Sequence, residues 1–235
     1  MENNNHMENN NHMKNNNHMK LDEMLKNVLR METERAGLIL LSGRPGMGKT
    51  AVAMSIAASL ADQGKKVLYI SMEQSVDSWW KRFEMKNKDL EDLEAKDIYG
   101  RNLEVVAPGQ ADVEKIQDMC DEKYDLIIID YLQLIDRGDG DVYDIQVKLK
   151  KMAEDLHRPV MVLSQLGRSV EAREDHRPVL SDLAAGHLDD KLFDDVMLIY
   201  REFYYDRTAD PAEMIVRTRQ GEAALEWNYE SLSVV

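Results

Sequence analysis

The sequence contains a single cysteine, Cys120, and lacks any apolar run that approaches the roughly 18 residues needed to span a membrane. One cysteine excludes an internal disulfide framework and suits a reducing compartment. The beginning of the chain is rich in asparagine and has neither the apolar stretch nor the small-residue cleavage site of a secretory signal. These absences predict a cytoplasmic protein with no membrane partner.

Basic residues are outnumbered by acidic ones, 30 against 44, so the chain carries a formal net charge of −14. Binding to the phosphates of a nucleic acid depends on clustered lysine and arginine, and an acidic chain is poorly suited to it as a whole. A nucleic-acid partner would require the basic side chains to be concentrated locally, for example in the channel of a hexameric ring. The length of 235 residues suffices for one sizeable domain.

The first part of the chain has the composition of a tail. Residues 2–19 repeat an Asn-rich unit of six residues, which cannot bury a core, so residues 1–20 are predicted to be disordered. The histidines of this repeat could hold a metal ion loosely or simply be solvated. The spacing of apolar residues such as Leu21 and Leu25 then predicts an amphipathic lead-in helix over 21–36. That helix could pack on its own domain or on a neighbouring subunit.

Beyond the predicted lead-in helix, segments of strand and helix character alternate, which indicates βαβ units. The aliphatic run LIIID is typical of a strand buried on both faces and central in a sheet, and two β-prone runs around Gly221 predict a C-terminal hairpin. We therefore predict one α/β domain over residues 37–235, with a mostly parallel central sheet flanked by helices. The predicted strands cover 38–42, 67–72, 103–107, 126–130, 160–163 and 196–200, and the predicted helices include a charged, solvated one over 81–97, one over 111–122 and one through 145–156.

The octapeptide GRPGMGKT lies between a predicted strand and a predicted helix and matches the pattern G-x-x-x-x-G-K-T. Glycines let the backbone approach a phosphate chain, and the start of the helix contributes its dipole. The pattern predicts a loop that binds the phosphates of ATP, with Lys49 reaching the β- and γ-phosphates; the alternative is a glycine-rich turn that arises by chance. The predicted cofactor-binding residues are Gly43, Gly46, Met47, Gly48, Lys49 and Thr50.

Further polar residues follow predicted strands whose carboxyl ends meet at one edge of a parallel sheet. Thr50 and Asp130 are predicted to hold Mg²⁺. Glu73 is predicted to act as the base that activates the attacking water, and Gln165 to contact the γ-phosphate without repelling it. Simpler interpretations stay open for the strand-end residues: a capping carboxylate at Asp130, a solvated carboxylate at Glu73 and a loop amide at Gln165.

Five stretches follow one another in the order known from the DnaB family of replicative DNA helicases, and the sequence resembles that family. They are GRPGMGKT, YISMEQS followed by Arg82, IIIDYLQLI, PVMVLSQLGRSVEAREDHRPVLSDL and VRTRQGE. DYLQL and the segment LSQL-x-RSVE-x-R discriminate best, because a generic P-loop enzyme has no reason to carry them. The resemblance covers residues 38–228 and is to the C-terminal, RecA-like motor domain.

The resemblance implies a homo-hexameric ring that hydrolyses ATP to translocate on single-stranded DNA in replication, with each site completed by its neighbour. Carried over residue by residue, it assigns to Lys49, Thr50, Glu73, Asp130 and Gln165 the same roles that the strand-end pattern predicts. It adds Arg219 as an arginine finger, which would neutralise transition-state charge across a subunit boundary. It also adds Arg217, where the family commonly has a lysine. Without the resemblance, two arginines beside a hairpin turn would be interpreted as solvated.

The departures from the family lie mainly where DNA would bind. The loop DRGDGDVYD, residues 136–144, has four aspartates and one arginine where positive charge is expected. The segment after SDL reads AAGHLDDKLFDD and lacks the family's Arg-Glu-Ser-Gly pattern. Arg173 and Arg177 could contact phosphate or be solvated. Three functions therefore stay open. They are a helicase motor working with a replication protein partner, a RecA-like ATPase that acts as a regulatory or assembly switch on a protein partner, and a nucleotide-binding module without turnover.

Overall fold

The computed structural model describes residues 36–86, 95–219, 221–228 and 233–234. The predicted tail lies outside the described residues, as does the predicted lead-in helix apart from its last residue. The strands of the described part are β1 (Gly37–Gly43), β2 (Val67–Ser71), β3 (Leu103–Val106), β4 (Leu126–Asp130), β5 (Pro159–Gln165), β6 (Asp195–Tyr200), β7 (Glu213–Arg217), β8 (Glu222–Asn228) and β9 (Ser233–Val234).

These strands form one sheet in the order β3-β2-β4-β5-β1-β6-β7-β8-β9. Every pairing from β3 to β6 is parallel, and β7 and β8 add an antiparallel hairpin. All seven residues of β1 are buried, as expected for an aliphatic strand covered on both faces. The mostly parallel sheet with its C-terminal hairpin confirms the predicted fold class. β4 is an interior strand, whereas β1 is the middle one.

Helices cover both faces of the sheet. The described α-helices are α1 (Lys49–Asp62), α2 (Val76–Lys86), α3 (Ala95–Tyr99), α4 (Val113–Gln117) and α5 (Val142–Leu156). Because side chains alternate along a strand, Ile39 of β1 belongs to the core under α1 and α2, while Leu40 belongs to the core under α4 and α5. None of the described helices combines the length and apolar character required to cross a membrane.

Helix ends near the site follow local sequence signals. α1 ends before Gly64, whose φ of 79° suits glycine and whose amide donates to the Ala61 carbonyl at 3.0 Å, as predicted for a C-terminal glycine. α5 begins at a capping box, in which the side chains of Asp141 and Asp144 each accept the other's backbone amide at 3.0 Å.

The helix predicted over 111–122 is wrong in its extent, because α4 ends at Gln117. Asp112 caps its start by accepting the Lys115 amide at 2.8 Å. The following residues include acidic side chains such as Asp118, and negative charge is unfavourable at the C-terminal end of a helix dipole. This charge explains why the helix is shorter than its apolar pattern alone indicates.

The charged segment 81–97 is not the solvated helix that its composition predicts. α2 begins earlier, at Val76, and buries Trp79 and Phe83 completely or nearly so. The two rings stack with centroids 5.1 Å apart. Residues 87–94 of the segment lie outside the described residues. The aromatic side of α2 therefore belongs to the core, and only its opposite side is solvated.

Candidate active site

A cleft of about 470 Å³ lies at the edge of the sheet where the parallel strands β1, β2, β4 and β5 end. Such an edge collects side chains from residues far apart in the sequence, because every parallel strand delivers its last residue there. The cleft is lined by Gly46, Gly48, Lys49, Thr50, Ala51, Glu73, Arg82, Asp130, Tyr131, Gln165 and Arg201.

The loop between β1 and α1 depends on glycine at three positions. Gly46 and Gly48 have φ values of 79° and 99°, a region that other residues adopt only with strain. At Gly43 the limit is space, since an added Cβ would lie 2.8 Å from Cγ1 of Ile199 in β6. The Met47 side chain is buried, so this predicted residue could contact a ligand only through its backbone. The loop is thus a narrow backbone cradle open to the cleft.

Lys49 stands at the start of α1 and folds back over this loop. Its Nζ donates to the carbonyl oxygens of Gly43 at 3.0 Å and Arg44 at 3.2 Å. Burial lowers the pKa of the Lys49 ammonium to about 8, an effect that Asp130 and Glu73 oppose and Arg44 reinforces. The ammonium therefore stands in a partly desolvated place where an anionic ligand would favour its charged form.

Asp130, the last residue of β4, is a buried carboxylate with two hydroxyl neighbours. Tyr69 Oη donates to Asp130 Oδ2 at 2.8 Å, and the Thr50 hydroxyl lies close enough to the same carboxylate to affect its pKa. Burial raises the pKa of Asp130, while the two hydroxyl groups and the positive charge of Arg82 counteract the rise. Thr50 and Asp130, the predicted metal ligands, thus lie side by side.

Glu73, two residues beyond the end of β2, and Gln165, the last residue of β5, both line the cleft. Gln165 ends β5 and is held by Gln133 from the stretch DYLQL. Gln133 Oε1 accepts the Gln165 amide at 3.3 Å, and its Nε2 donates to the Gln165 carbonyl at 3.2 Å and to Ser164 Oγ at 2.8 Å. Sequence reasoning marked DYLQL as distinctive but gave Gln133 no task.

Three further side chains in or beside the cleft were given no role in the sequence-based prediction, although Arg82 belongs to one of the stretches that resemble the family. Arg82 of α2 and Arg201, which follows β6, both line the cleft. Nη2 of Arg201 donates to the Pro211 carbonyl at 3.2 Å. Tyr69 lies behind the cleft, within β2. A tyrosine in an otherwise aliphatic strand is a signal that could have been used, because a buried hydroxyl requires a hydrogen-bond partner.

Arg217 and Arg219 are not brought into the cleft of their own chain. Arg217 lies at the end of β7, where its Nη2 contacts Glu222 Oε2 at 2.7 Å and its Nη1 donates to the Pro178 carbonyl at 2.9 Å. Arg219 Nη1 contacts Asp190 Oδ2 at 3.2 Å. Both guanidinium groups are therefore engaged by acidic groups of the same chain, and neither residue lines the cleft.

The parallel sheet, the glycine-rich loop between a strand and a helix, and the strand-end aspartate together define a RecA-like P-loop nucleotide-binding domain. A solved structure of an ATPase domain superposes on the chain with a TM-score of 0.72 at 27% sequence identity, covering 86% of this chain and 84% of that one. A second, a DnaB-like replicative helicase described with its interactions with primase, gives a TM-score of 0.74 at 27% identity over 86% of this chain and 57% of that one.

The model of the DnaB-like helicase C terminal domain family matches residues 15–105 and 102–230, and the chain belongs to this family. A probable plasmid replicative DNA helicase of Chlamydia psittaci is 31% identical over 219 residues, which cover 80% of this chain and 48% of the relative. The chain thus spans about half the length of the curated relatives that it matches.

Proposed function

We propose that this chain is the motor domain of a replicative helicase, an enzyme that hydrolyses ATP to move on single-stranded DNA. The observation that carries the proposal is the meeting of Lys49, Thr50, Glu73, Asp130 and Gln165 at one cleft. These residue types come from four separate segments of the sequence, and a shared cleft is what ATP hydrolysis requires of them.

The cleft fits ATP with a divalent cation. The backbone cradle at Gly46 and Gly48 and the ammonium of Lys49 suit a polyphosphate chain, because both supply donors and positive charge to its oxygens. The adjacent hydroxyl of Thr50 and carboxylate of Asp130 are hard oxygen groups of the kind that Mg²⁺ accepts. Mg²⁺, when bound, would neutralise part of the charge on the phosphates.

The roles proposed for the remaining residues of the site follow from their charge and position. Glu73, exposed to the cleft, would take the proton of the attacking water, and Gln165, held by Gln133, would orient the terminal phosphate. Arg219 and Arg217 would act on the cleft of a neighbouring subunit, because neither lines the cleft of its own chain. The proposed assembly is a homo-hexamer in the cytoplasm, and the similar structure described with primase suggests a replication protein as a further partner.

One observation favours a second candidate, a RecA-like ATPase that switches a protein partner. The acidic loop 136–144 offers no cluster of positive charge to DNA. Arg173 contacts Asp182 with Nη1 to Oδ1 at 2.8 Å, and Arg177 contacts Glu202 at 3.2 Å and Glu222 at 3.4 Å, so both are neutralised within the chain. A surface of this kind is suited to a protein partner.

The two candidates are separated by the rate of ATP hydrolysis with and without single-stranded DNA in a series of salt concentrations. The motor predicts stimulation by DNA that fades as salt rises, since phosphate contacts release counterions. The switch predicts hydrolysis that DNA leaves unchanged at every salt concentration. Lys49→Ala, which removes the phosphate contact, and Glu73→Gln, which retains binding, should each lack turnover. Hydrolysis at the unsubstituted rate in either variant would refute the site itself.

A further inference from the structure

Tyr69 is a fully buried tyrosine whose hydroxyl ends at the candidate site. It occupies the middle of β2, its exposed fraction is 0%, and its Oη donates to Asp130 Oδ2 at 2.8 Å. In the register of the sheet it stands beside Ile128, so its side chain extends along β4 to reach the carboxylate at the end of that strand. An apolar ring would be sufficient to fill a core position in this strand. The presence of a hydroxyl that donates to Asp130 therefore indicates a role beyond packing.

The aromatic core of α2 holds the Tyr69 ring in place. The Tyr69 and Trp79 ring centroids lie 4.8 Å apart with the planes at 58°, and Trp79 stacks in turn on Phe83. Side chains packed in this way keep a single orientation. The hydroxyl is thus a donor in a fixed position rather than one that could follow the carboxylate as it turns.

The Asp130 carboxylate is the group that this donor orients. Tyr69 engages Oδ2, and the hydroxyl of Thr50, the other predicted metal ligand, lies close to the same carboxylate. With Oδ2 held from behind by the core, rotation of the carboxylate would break the 2.8 Å hydrogen bond. A partner that orients a ligating group in this manner increases the affinity of the site for its metal ion.

We propose that Tyr69 is a positioning residue that fixes the orientation of Asp130 for a divalent cation bound together with the nucleotide. The inference rests on the proposed function, because it concerns the same cation. Tyr69 does not line the cleft and would act through the carboxylate. Its removal should therefore weaken the contribution of Mg²⁺ to nucleotide binding while leaving the contacts of the phosphate loop unchanged.

The test is to measure, by calorimetry, the affinity of the protein for a non-hydrolysable ATP analogue in the presence of Mg²⁺ and again in EDTA. The unsubstituted full chain is compared with Tyr69→Phe. Phenylalanine keeps the ring contacts with Trp79 and deletes only the hydroxyl. We expect the tightening by Mg²⁺ to fall by about tenfold, as for the loss of one hydrogen bond to a charged group, with affinity in EDTA unchanged. The matched control is Tyr124→Phe, which deletes the hydroxyl of another buried tyrosine. That hydroxyl donates to Glu104 away from the cleft, so its loss should alter neither affinity.

A double-mutant cycle with Asp130→Asn tests whether Tyr69 acts through the carboxylate. We expect the effect of Tyr69→Phe on Mg²⁺-dependent affinity to disappear in the Asp130→Asn background. An effect that persists there, or a loss of affinity in EDTA as well, would give Tyr69 only a structural role and overturn the inference. Full Mg²⁺ tightening in Tyr69→Phe would overturn it too, while leaving the proposed function intact. Absence of any Mg²⁺ tightening in the unsubstituted chain would overturn both.

Discussion

At the scale of the residue, Lys49 links the candidate site to the stability of the fold. Its pKa is lowered from 10.5 to about 8 by burial, so the charged form destabilises the nucleotide-free folded state. Below a pH of about 8, Lys49 is protonated in both the folded and the unfolded protein, so the full cost of burying its charge lowers the free energy of unfolding. As pH rises from about 8 to 10.5 the unfolded state binds more protons than the folded one, and the cost is relieved.

Lys49→Met should therefore stabilise the nucleotide-free protein near neutral pH, because it keeps an apolar stem and removes the buried charge. We expect its free energy of unfolding to exceed that of the unsubstituted chain by up to about 3 kcal/mol. This advantage should shrink as pH rises through the interval between the two pKa values. Urea denaturation across that interval measures it, with the exposed Lys96→Met as control. A methionine variant that is no more stable at neutral pH would contradict the burial of the charge.

Most of the cleft was predictable at this scale, and the reason is topological. Asp130 and Gln165 each end a parallel strand, and Lys49 begins the helix that follows another, so the sequence pattern alone predicts that they meet. The partners of these residues were not predictable in the same way. Tyr69 and Gln133 act through side-chain hydrogen bonds whose direction depends on packing between strands that are distant in the sequence.

At the scale of the element, the connection after β4 supports the end of β5. Gln133 makes three hydrogen bonds to residues 164 and 165 and so holds the backbone that carries the Gln165 side chain. Gln133→Ala should lower kcat for ATP hydrolysis by at least about tenfold, since a small displacement of a catalytic group is costly, with little change in KM. The stability loss should be about 1 kcal/mol.

Steady-state kinetics and thermal denaturation measure these two effects separately. Gln110→Ala is the appropriate control, because Gln110 Nε2 makes an exposed hydrogen bond to Asp136 at 2.9 Å away from the cleft. A Gln133→Ala variant that loses stability but hydrolyses ATP at the unsubstituted rate would show that the end of β5 needs no such support.

The elements themselves were predicted unevenly. Strands were located well, since short aliphatic runs such as LIIID are typical of strands that are buried on both faces. The prediction for helix α2 was wrong because it considered only the charged residues of 81–97. The aromatic residues of the helix, Trp79, Trp80 and Phe83, lie just before this segment or near its start. Helix α4 was predicted to be too long because the spacing of apolar residues contains no information about the charges at a helix end.

At the scale of the whole molecule, the role proposed for Arg219 implies that activity depends on assembly, because Arg219 does not line the cleft of its own chain. If Arg219 serves a neighbouring cleft, the rate per subunit should rise with protein concentration as oligomers form. Arg219→Ala subunits mixed into the unsubstituted protein should reduce the rate more than in proportion to their share. Arg101→Ala, a substitution of another exposed arginine, should not do so. A constant rate per subunit in a monomer measured by light scattering would refute the role.

The position of β1 in the sheet has a kinetic consequence. Strand partners on both sides and complete burial place the start of the phosphate loop in the part of the molecule whose amide hydrogens should exchange most slowly with solvent, through openings close to global unfolding. Exchange of the β1 amides should therefore report openings close to global unfolding, whereas β3, at the edge of the sheet formed by the described strands, should exchange through smaller openings.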